Sequence, residues 1–262
     1  MIGSRDRYAL VTGASCGIGY ELAKLFARDG KSLVVVARSQ DGLEELRREV
    51  EAKYTSNVIV LPKDLSNPTA PQEIFSELQA RNIDVDVLVN NAGFGVYGLF
   101  RETDLHEELR MIQVNATSLI HLTKLFLEGM VDNGSGGILN VASLCSFFST
   151  PLESVYCGTK ALVLHFTEAL ANELQGTGVT VTCLCPGLAK TEFHKRAHME
   201  NCKAAKRKMM GAATVAEAGY RALQKGRLIE VPGLEYKLGP LFARFAPRRF
   251  VTRVVRSQHE AV

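Results

Sequence analysis

For most of its 262 residues the chain alternates between short apolar runs and longer amphipathic runs of helical period. YALVT (8–12), SLVVVA (32–37), VIVL (58–61), VDVLVN (85–90), GILNVAS (137–143) and VTVTCLC (179–185) read as strands, and RLIEV (227–231) as a last short one. Between them, helical spacing runs over 18–29, 41–53, 69–81, 104–131 (one long helix or two short ones), 153–175 and 214–225. These strands are apolar at nearly every position, as expected of strands with both faces buried. An α/β fold follows: one doubly wound parallel sheet with helices on both faces. With 46% hydrophobic residues the chain can fill one large core, and no linker marks a second packed domain. A capping-box pattern, Asp41 to Glu44, is predicted to open the second helix.

Three features bear on location. No apolar run approaches the ~18 residues of a membrane span. The start, MIGSRDRYALVTG, lacks a secretory pattern. The six cysteines, at 16, 145, 157, 183, 185 and 202, form no CxxC pair and read as free thiols in a reducing compartment. A cytoplasmic protein is expected, with no nucleic-acid partner.

The first strand-to-helix turn reads TGASCGIG, with Gly13, Gly17 and Gly19 spaced as a variant of the dinucleotide fingerprint. Glycines there let backbone approach a pyrophosphate, and the helix N-terminus faces its charge. At the end of the second strand, where an NAD enzyme places an acid for the ribose hydroxyls, stand Ala37 and Arg38. An arginine there pairs with a 2′-phosphate, and Ser39 offers a hydroxyl, so NADP is favoured over NAD. Asp41 is left to the cap. Asp64 either bonds an adenine amino group or caps the turn before Pro68. Asn90-Asn91-Ala92-Gly93 ends the fourth strand with small and amide residues suited to packing on ribose and adenine. Asn115, mid-helix in MIQVNATSLI, needs a reason to be there. Either it marks a local break holding a water, or it is a satisfied core amide.

Ser143 closes the fifth strand, Tyr156 follows thirteen residues later, and Lys160 four residues after that. On a helix, i and i+4 share a face, so the Lys160 ammonium would sit beside the Tyr156 phenol and lower its pKa. Tyr-x-x-x-Lys by itself also describes an ordinary surface pair. In combination with TGASCGIG, Asn90-Asn91-Ala92-Gly93, Asn115 and Ser143, the chain resembles the short-chain dehydrogenase/reductase family over residues 6 to about 232. The resemblance implies a Rossmann-type seven-stranded sheet, a nicotinamide cofactor and a catalytic tetrad of Asn115, Ser143, Tyr156 and Lys160. It implies cofactor contacts from Gly13, Ser15, Gly17, Ile18, Gly19, Arg38, Asp64, Asn91, Tyr156 and Lys160. Pro186, Gly187 and Thr191 match the segment that covers the nicotinamide carboxamide. The expected activity is hydride transfer between NADP(H) and a carbonyl or secondary alcohol substrate. A non-catalytic NADP sensor on the same fold is the alternative, and it would have no need of Tyr156 and Lys160 in register. A homodimer or homotetramer is expected, with 104–131 packing on a twin subunit or on the sheet.

The net charge is only +3, but residues 1–189 hold fifteen Lys and Arg against twenty-two Asp and Glu, so the positive charge lies beyond them. Residues 1–233 form the expected domain, including a basic lid over 190–210. Lys195, Arg196, Lys203, Lys206, Arg207 and Lys208 of that lid would attract an anionic or acyl substrate, or are simply solvated. His194 and His198 are spaced i, i+4 without a third ligand, so no metal site is expected. The extension 234–262 carries an apolar stripe of Leu238, Leu241, Phe242 and Phe245, then Pro247, then Phe250, Val251, Val254 and Val255 among arginines. It docks by the substrate mouth, packs on a twin subunit or lies on an anionic membrane; the two protein-packing options are favoured because the proline interrupts the helix.

Overall fold

The computed structural model describes residues 7–197, 199, 202, 203 and 209–260. Its core is a seven-stranded parallel sheet of β1 (Arg7–Thr12), β2 (Ser32–Ala37), β3 (Val58–Pro62), β4 (Asp84–Asn90), β5 (Gly136–Val141), β6 (Val179–Leu184) and β9 (Ile229–Glu230). The strand order is β3-β2-β1-β4-β5-β6-β9. The order reverses between β1 and β4, which opens a crevice at the carboxyl ends of those strands.

The apolar strands behave as double-sided burial requires. Along β1, Ala9 and Val11 enter one core layer while Tyr8 and Leu10 enter the other. Along β2, Leu33 and Val35 go one way and Val34 and Val36 the other. Helices α1 (Gly17–Arg28), α2 (Gln40–Lys53) and α8 (Ala212–Gln224) cover the first face. The second is covered by α3 (Ala70–Ala80), α5 (Ser118–Asp132) and α6 (Ser154–Glu173). At about 25 cal/mol per Å² of apolar area, two such layers are the main stabilising term.

Three local features depart from the sequence expectation, and one decides between its two options. Ser39, not Asp41, caps α2: its hydroxyl accepts from the Gly42 amide at 3.3 Å, and Asp41 falls within the first turn. The stretch 104–131 is two helices, α4 (Leu105–Ile112) and α5, joined by a π-helical turn, Gln113–Thr117. Strand β5 stops at Val141, leaving Ser143 to cap a 3₁₀ turn over Leu144–Phe147. The segment after β6 holds a two-residue strand, β7 (Ala189–Lys190), paired with β8 (Met210–Gly211), and a single turn of helix, α7 (Phe193–Arg196). His198, Lys206, Arg207 and Lys208 lie outside the described residues, as do the side chains of His194 and Lys195.

After β9 the chain forms α9 (Leu234–Phe245) and α10 (Arg248–His259), with Pro240 inside the first. Among the described residues, no helix is long and apolar enough to cross a membrane.

Candidate active site

A continuous cleft of about 770 Å³ runs along the carboxyl ends of β1, β2, β4 and β5 and out beneath α10. At one end lies the glycine-rich turn. Gly13 has φ +66°, and a Cβ there would stand 2.7 Å from Asn91 Nδ2 and 2.9 Å from Ala92 Cα. Gly17 has φ +63° with the Thr191 methyl 3.2 Å from where its Cβ would be. Side chains are therefore excluded on both sides of the turn, which leaves a backbone cradle at the N-terminus of α1.

Thr12 holds this cradle in place. Its hydroxyl donates to Val89 O (3.1 Å) and accepts from the amides of Asn91 and Ala92, each at 3.0 Å. Asn91 adds a side-chain bond, Nδ2 to Thr12 O at 2.9 Å. The amide of Asn91 thus ties the β4 turn to the β1 turn. Asn90 belongs to a buried chain instead, donating to Thr123 Oγ1 and to Asn140 Oδ1. Asn140 passes the chain on to Thr167 at 3.0 Å.

Beyond β2, Arg38 is exposed at the cleft wall and forms no ion pair among the described residues. Asp64 takes the turn-capping option, accepting from the Ser66 amide at 2.9 Å, while also lining the cleft. Burial works against its charge. The Ser66 amide and hydroxyl, with Arg38 and Arg110, outweigh that and hold its carboxyl below the ordinary range.

Ser143, Tyr156 and Lys160 line the middle of the cleft. The Ser143 hydroxyl accepts from the Cys145 amide at 3.3 Å, and Ser146 Oγ donates to Lys160 O at 2.8 Å, which locks the 3₁₀ turn to α6. The Lys160 ammonium is buried and donates to Val141 O at 2.8 Å. It lies 5.9 Å from the centroid of the Tyr156 ring. Burial raises the Tyr156 phenol well above its ordinary pKa, with Cys145 and Glu153 adding to the effect and Ser143 opposing it. Burial also lowers Lys160, to about 8. A lone cation carried into a protein interior loses hydration, and a single carbonyl replaces only part of it.

Asn115 and Gly19 are the two predicted site residues that do not line the cleft. Asn115 is fully partnered: Oδ1 accepts from the Phe94 amide at 3.0 Å, and Nδ2 donates to Phe94 O and to Thr159 Oγ1. It stands in the π turn, so it is both the local break and the satisfied amide. Gly93 passes between it and Lys160: a Cβ there would be 3.0 Å from Asn115 Oδ1 and 3.3 Å from Lys160 Nζ. Gly19 packs against the carbonyl of Gly13 and the Asn91 amide, where a Cβ would clash, and so braces the cradle from behind.

The outer end of the cleft contains residues that no sequence motif marked. The Phe193 ring lies 5.2 Å from that of Tyr156. Tyr236 of α9 lies against Gly187. Val255, Gln258 and His259 of α10 close the rim. Glu153, buried at the start of α6, pairs with His259 Nε2 at 3.2 Å, and the Tyr97 hydroxyl donates to the His259 carbonyl. A link between positions so far apart in sequence has no local signal.

Comparison with known proteins accords with this geometry. The family model described as "short chain dehydrogenase" matches residues 7–201. A ketoacyl reductase from Nostoc sp. is 36% identical over 178 residues, 68% of this chain and 62% of that protein. A very-long-chain 3-oxoacyl-CoA reductase from Pyrenophora tritici-repentis is 36% identical over 198 residues, 74% of this chain and 58% of that one. The matched segment thus spans about three-fifths of these relatives' length. A short-chain dehydrogenase from Sphingobium yanoikuyae, solved in complex with NADPH, superposes with a TM-score of 0.81 at 29% identity, covering 98% of both chains. The chain belongs to the short-chain dehydrogenase/reductase family of oxidoreductases.

Proposed function

We propose that the protein is an NADP(H)-dependent reductase of a ketone or aldehyde, working through Ser143, Tyr156 and Lys160 with Asn115 as their brace. The observation that carries this reading is the convergence of those three side chains in the cleft that begins at the glycine cradle. Gly13, Ser15, Gly17 and Ile18 would hold the pyrophosphate, and Gly19 would support them from behind. Asp64 and Asn91 would flank the adenosine half, and Arg38 and Ser39 would bind a 2′-phosphate. Pro186, Gly187 and Thr191 would face the nicotinamide amide. When bound, the cofactor supplies the hydride.

The side chains handle the proton and the developing charge. Ser143 and Tyr156 point hydroxyls at the substrate oxygen, where negative charge grows. A phenol kept neutral by burial is a proton donor, which suits reduction of the carbonyl. Lys160 still carries its charge at neutral pH, and beyond the bond to Val141 it has two N–H groups for ribose hydroxyls. Asn115 holds the Phe94 backbone and, through Thr159, the first turns of α6; a relay water would be anchored at that break. Phe193 shields the Tyr156 ring from solvent. The outer cleft is largely apolar, with Phe94, Phe148, Leu188 and Met199, and this favours an acyl or otherwise apolar carbonyl substrate, as the names of the relatives also suggest. Exposed Leu105, Leu109 and Ile112 on α4 support a homodimer or homotetramer.

Tyr156→Phe tests the reading. NADPH affinity should stay within about threefold of wild type, because the phenol hydroxyl is only one contact among many. Turnover on any accepted ketone or aldehyde should fall by about 10³-fold or more. Turnover near the wild-type rate would remove Tyr156 from the chemistry.

A further inference from the structure

The C-terminal hairpin turns its apolar side outward. Helix α9 meets the body through slim or flat residues: Tyr236 against Gly187, and Gly239 near Leu144 and Phe148. Its large apolar residues face away, with Leu234 82%, Leu238 66% and Phe245 78% exposed, and Leu241 and Phe242 beside them. None of the twelve residues of α9 is buried. Helix α10 docks through Val251 and leaves Phe250 and Val254 exposed. The Phe242 and Phe250 rings meet at 6.3 Å, so the two helices present one continuous apolar surface. Arg244, Arg248, Arg249 and Arg253 border it and form no ion pair among the described residues, while Arg256 pairs with Glu260.

An apolar patch of this kind, rimmed by charge, marks an interaction site. We propose that its partner is the surface of an anionic lipid bilayer, on which the hairpin lies flat. Three observations select that occupant. The border is cationic: residues 234–262 carry six Lys and Arg against two Asp and Glu, which complements anionic headgroups. A second copy is the poorer partner, because a closed two-fold interface sets the same patch against itself and would bring four unpaired arginines against four more. Finally, the break at Ala246–Pro247 makes two helices of twelve residues each, suited to lying in the interface rather than spanning it. The tail meets the body beside the cleft, one of the two protein-packing options favoured from sequence, and the proposal concerns the stripe it leaves outward on both helices. Membrane docking through this surface is independent of the reaction proposed above.

Flotation of the full chain with phosphatidylcholine vesicles, with and without phosphatidylglycerol, tests this. Binding should be about tenfold or more stronger with phosphatidylglycerol and should fall as salt is raised, each arginine near the surface contributing about fivefold. Leu238→Glu with Phe245→Glu should abolish flotation and leave the thermal midpoint and NADPH affinity unchanged, since both side chains are largely exposed and neither lines the cleft. Arg249→Glu with Arg253→Glu should remove the preference for anionic vesicles. Absence of flotation on anionic vesicles overturns the proposal. So does a sedimentation shift to a smaller assembly when Leu238 and Phe245 are charged, because a second copy would then be what covers the stripe.

Discussion

The two ends of the cleft are built by different means. At the glycine cradle, every wall is a turn leaving a central strand, and Thr12, Asn91 and Gly93 are fixed by bonds and contacts that reach across the sheet. At the outer rim, the wall is a hairpin whose anchors include one buried valine, one tyrosine wedge, the Tyr97 bond to the His259 carbonyl, the Lys237–Glu230 pair and the Glu153–His259 pair. The first end can be altered only by changing the fold. The second follows β9, the last strand of the sheet. Binding of a common cofactor belongs on the former, and adaptation to a particular substrate or surface on the latter.

The contrast breaks most severely at Gly13. Gly13→Val adds a Cβ where Asn91 Nδ2 and Ala92 Cα already stand within 3 Å, at a positive φ that β-branched residues avoid. Strain and overpacking together should cost about 3 kcal/mol or more. We expect a fall in thermal midpoint of about 6 °C or more, with cofactor binding lost. Gly239→Val on the hairpin, with the nearest contact of a Cβ at 3.7 Å, should shift the midpoint by less than about 2 °C. Equal effects at the two glycines would remove the distinction between the two ends. Calorimetry of the pair decides it.

A smaller effect sharpens the cofactor end. Arg38→Asp removes a cation that forms no ion pair among the described residues at the proposed 2′-phosphate position and puts a like charge there. A charge-assisted bond to phosphate is worth about 1.5–3 kcal/mol, so NADPH affinity should fall roughly 10- to 100-fold. NADH affinity should hold or improve. Titration of wild type and variant with both cofactors measures the switch, and tighter binding of NADH by wild type would rule out the role given to Arg38.

The sheet was legible because strands buried on both faces are apolar at nearly every position, as YALVT and SLVVVA are. The glycine turn was legible because its spacing states a backbone requirement. Orientation was not. The stripe of α9 is plain in sequence, yet periodicity says which residues share a face and nothing about where that face points. Similarly, i, i+4 spacing puts Lys160 on the face of Tyr156 but does not announce the bond its ammonium makes to the Val141 carbonyl at 2.8 Å. Ser39 and Asp41 are both able caps, and the position where the chain leaves β2 chooses between them. The π turn at Asn115 widens the helix without disturbing the apolar pattern that announces it. The Glu153–His259 pair joins α6 to the last turn of α10, and only the assembled fold brings them together.

That pair supplies the smallest expected effect. His259 Nε2 faces Glu153 Oε2 at 3.2 Å and Nδ1 faces Val255 O at 3.0 Å. Both neighbours accept hydrogen bonds, so both nitrogens must donate, and only the imidazolium does that. Burial opposes the charge, but Glu153 and the Val255 carbonyl overcome it and raise the pKa above the ordinary histidine value. A group raised on folding contributes fully below its unfolded pKa of about 6.5 and loses that contribution as pH climbs through the folded value. The α10 rim should therefore be latched in mild acid and loosen at higher pH. Loosening leaves Glu153 without its cation and close to Tyr156, whose phenol it already pushes upward. We expect KM for a bulky carbonyl substrate to rise about two- to fivefold across that step, while hydrogen exchange in α10 accelerates in parallel. His259→Gln keeps a donor but no charge, and should show the high-pH KM at every pH. Lys160, at about 8, would appear in kcat in both proteins, which separates the two titrations. If the KM step survives in His259→Gln, the latch is not what sets it.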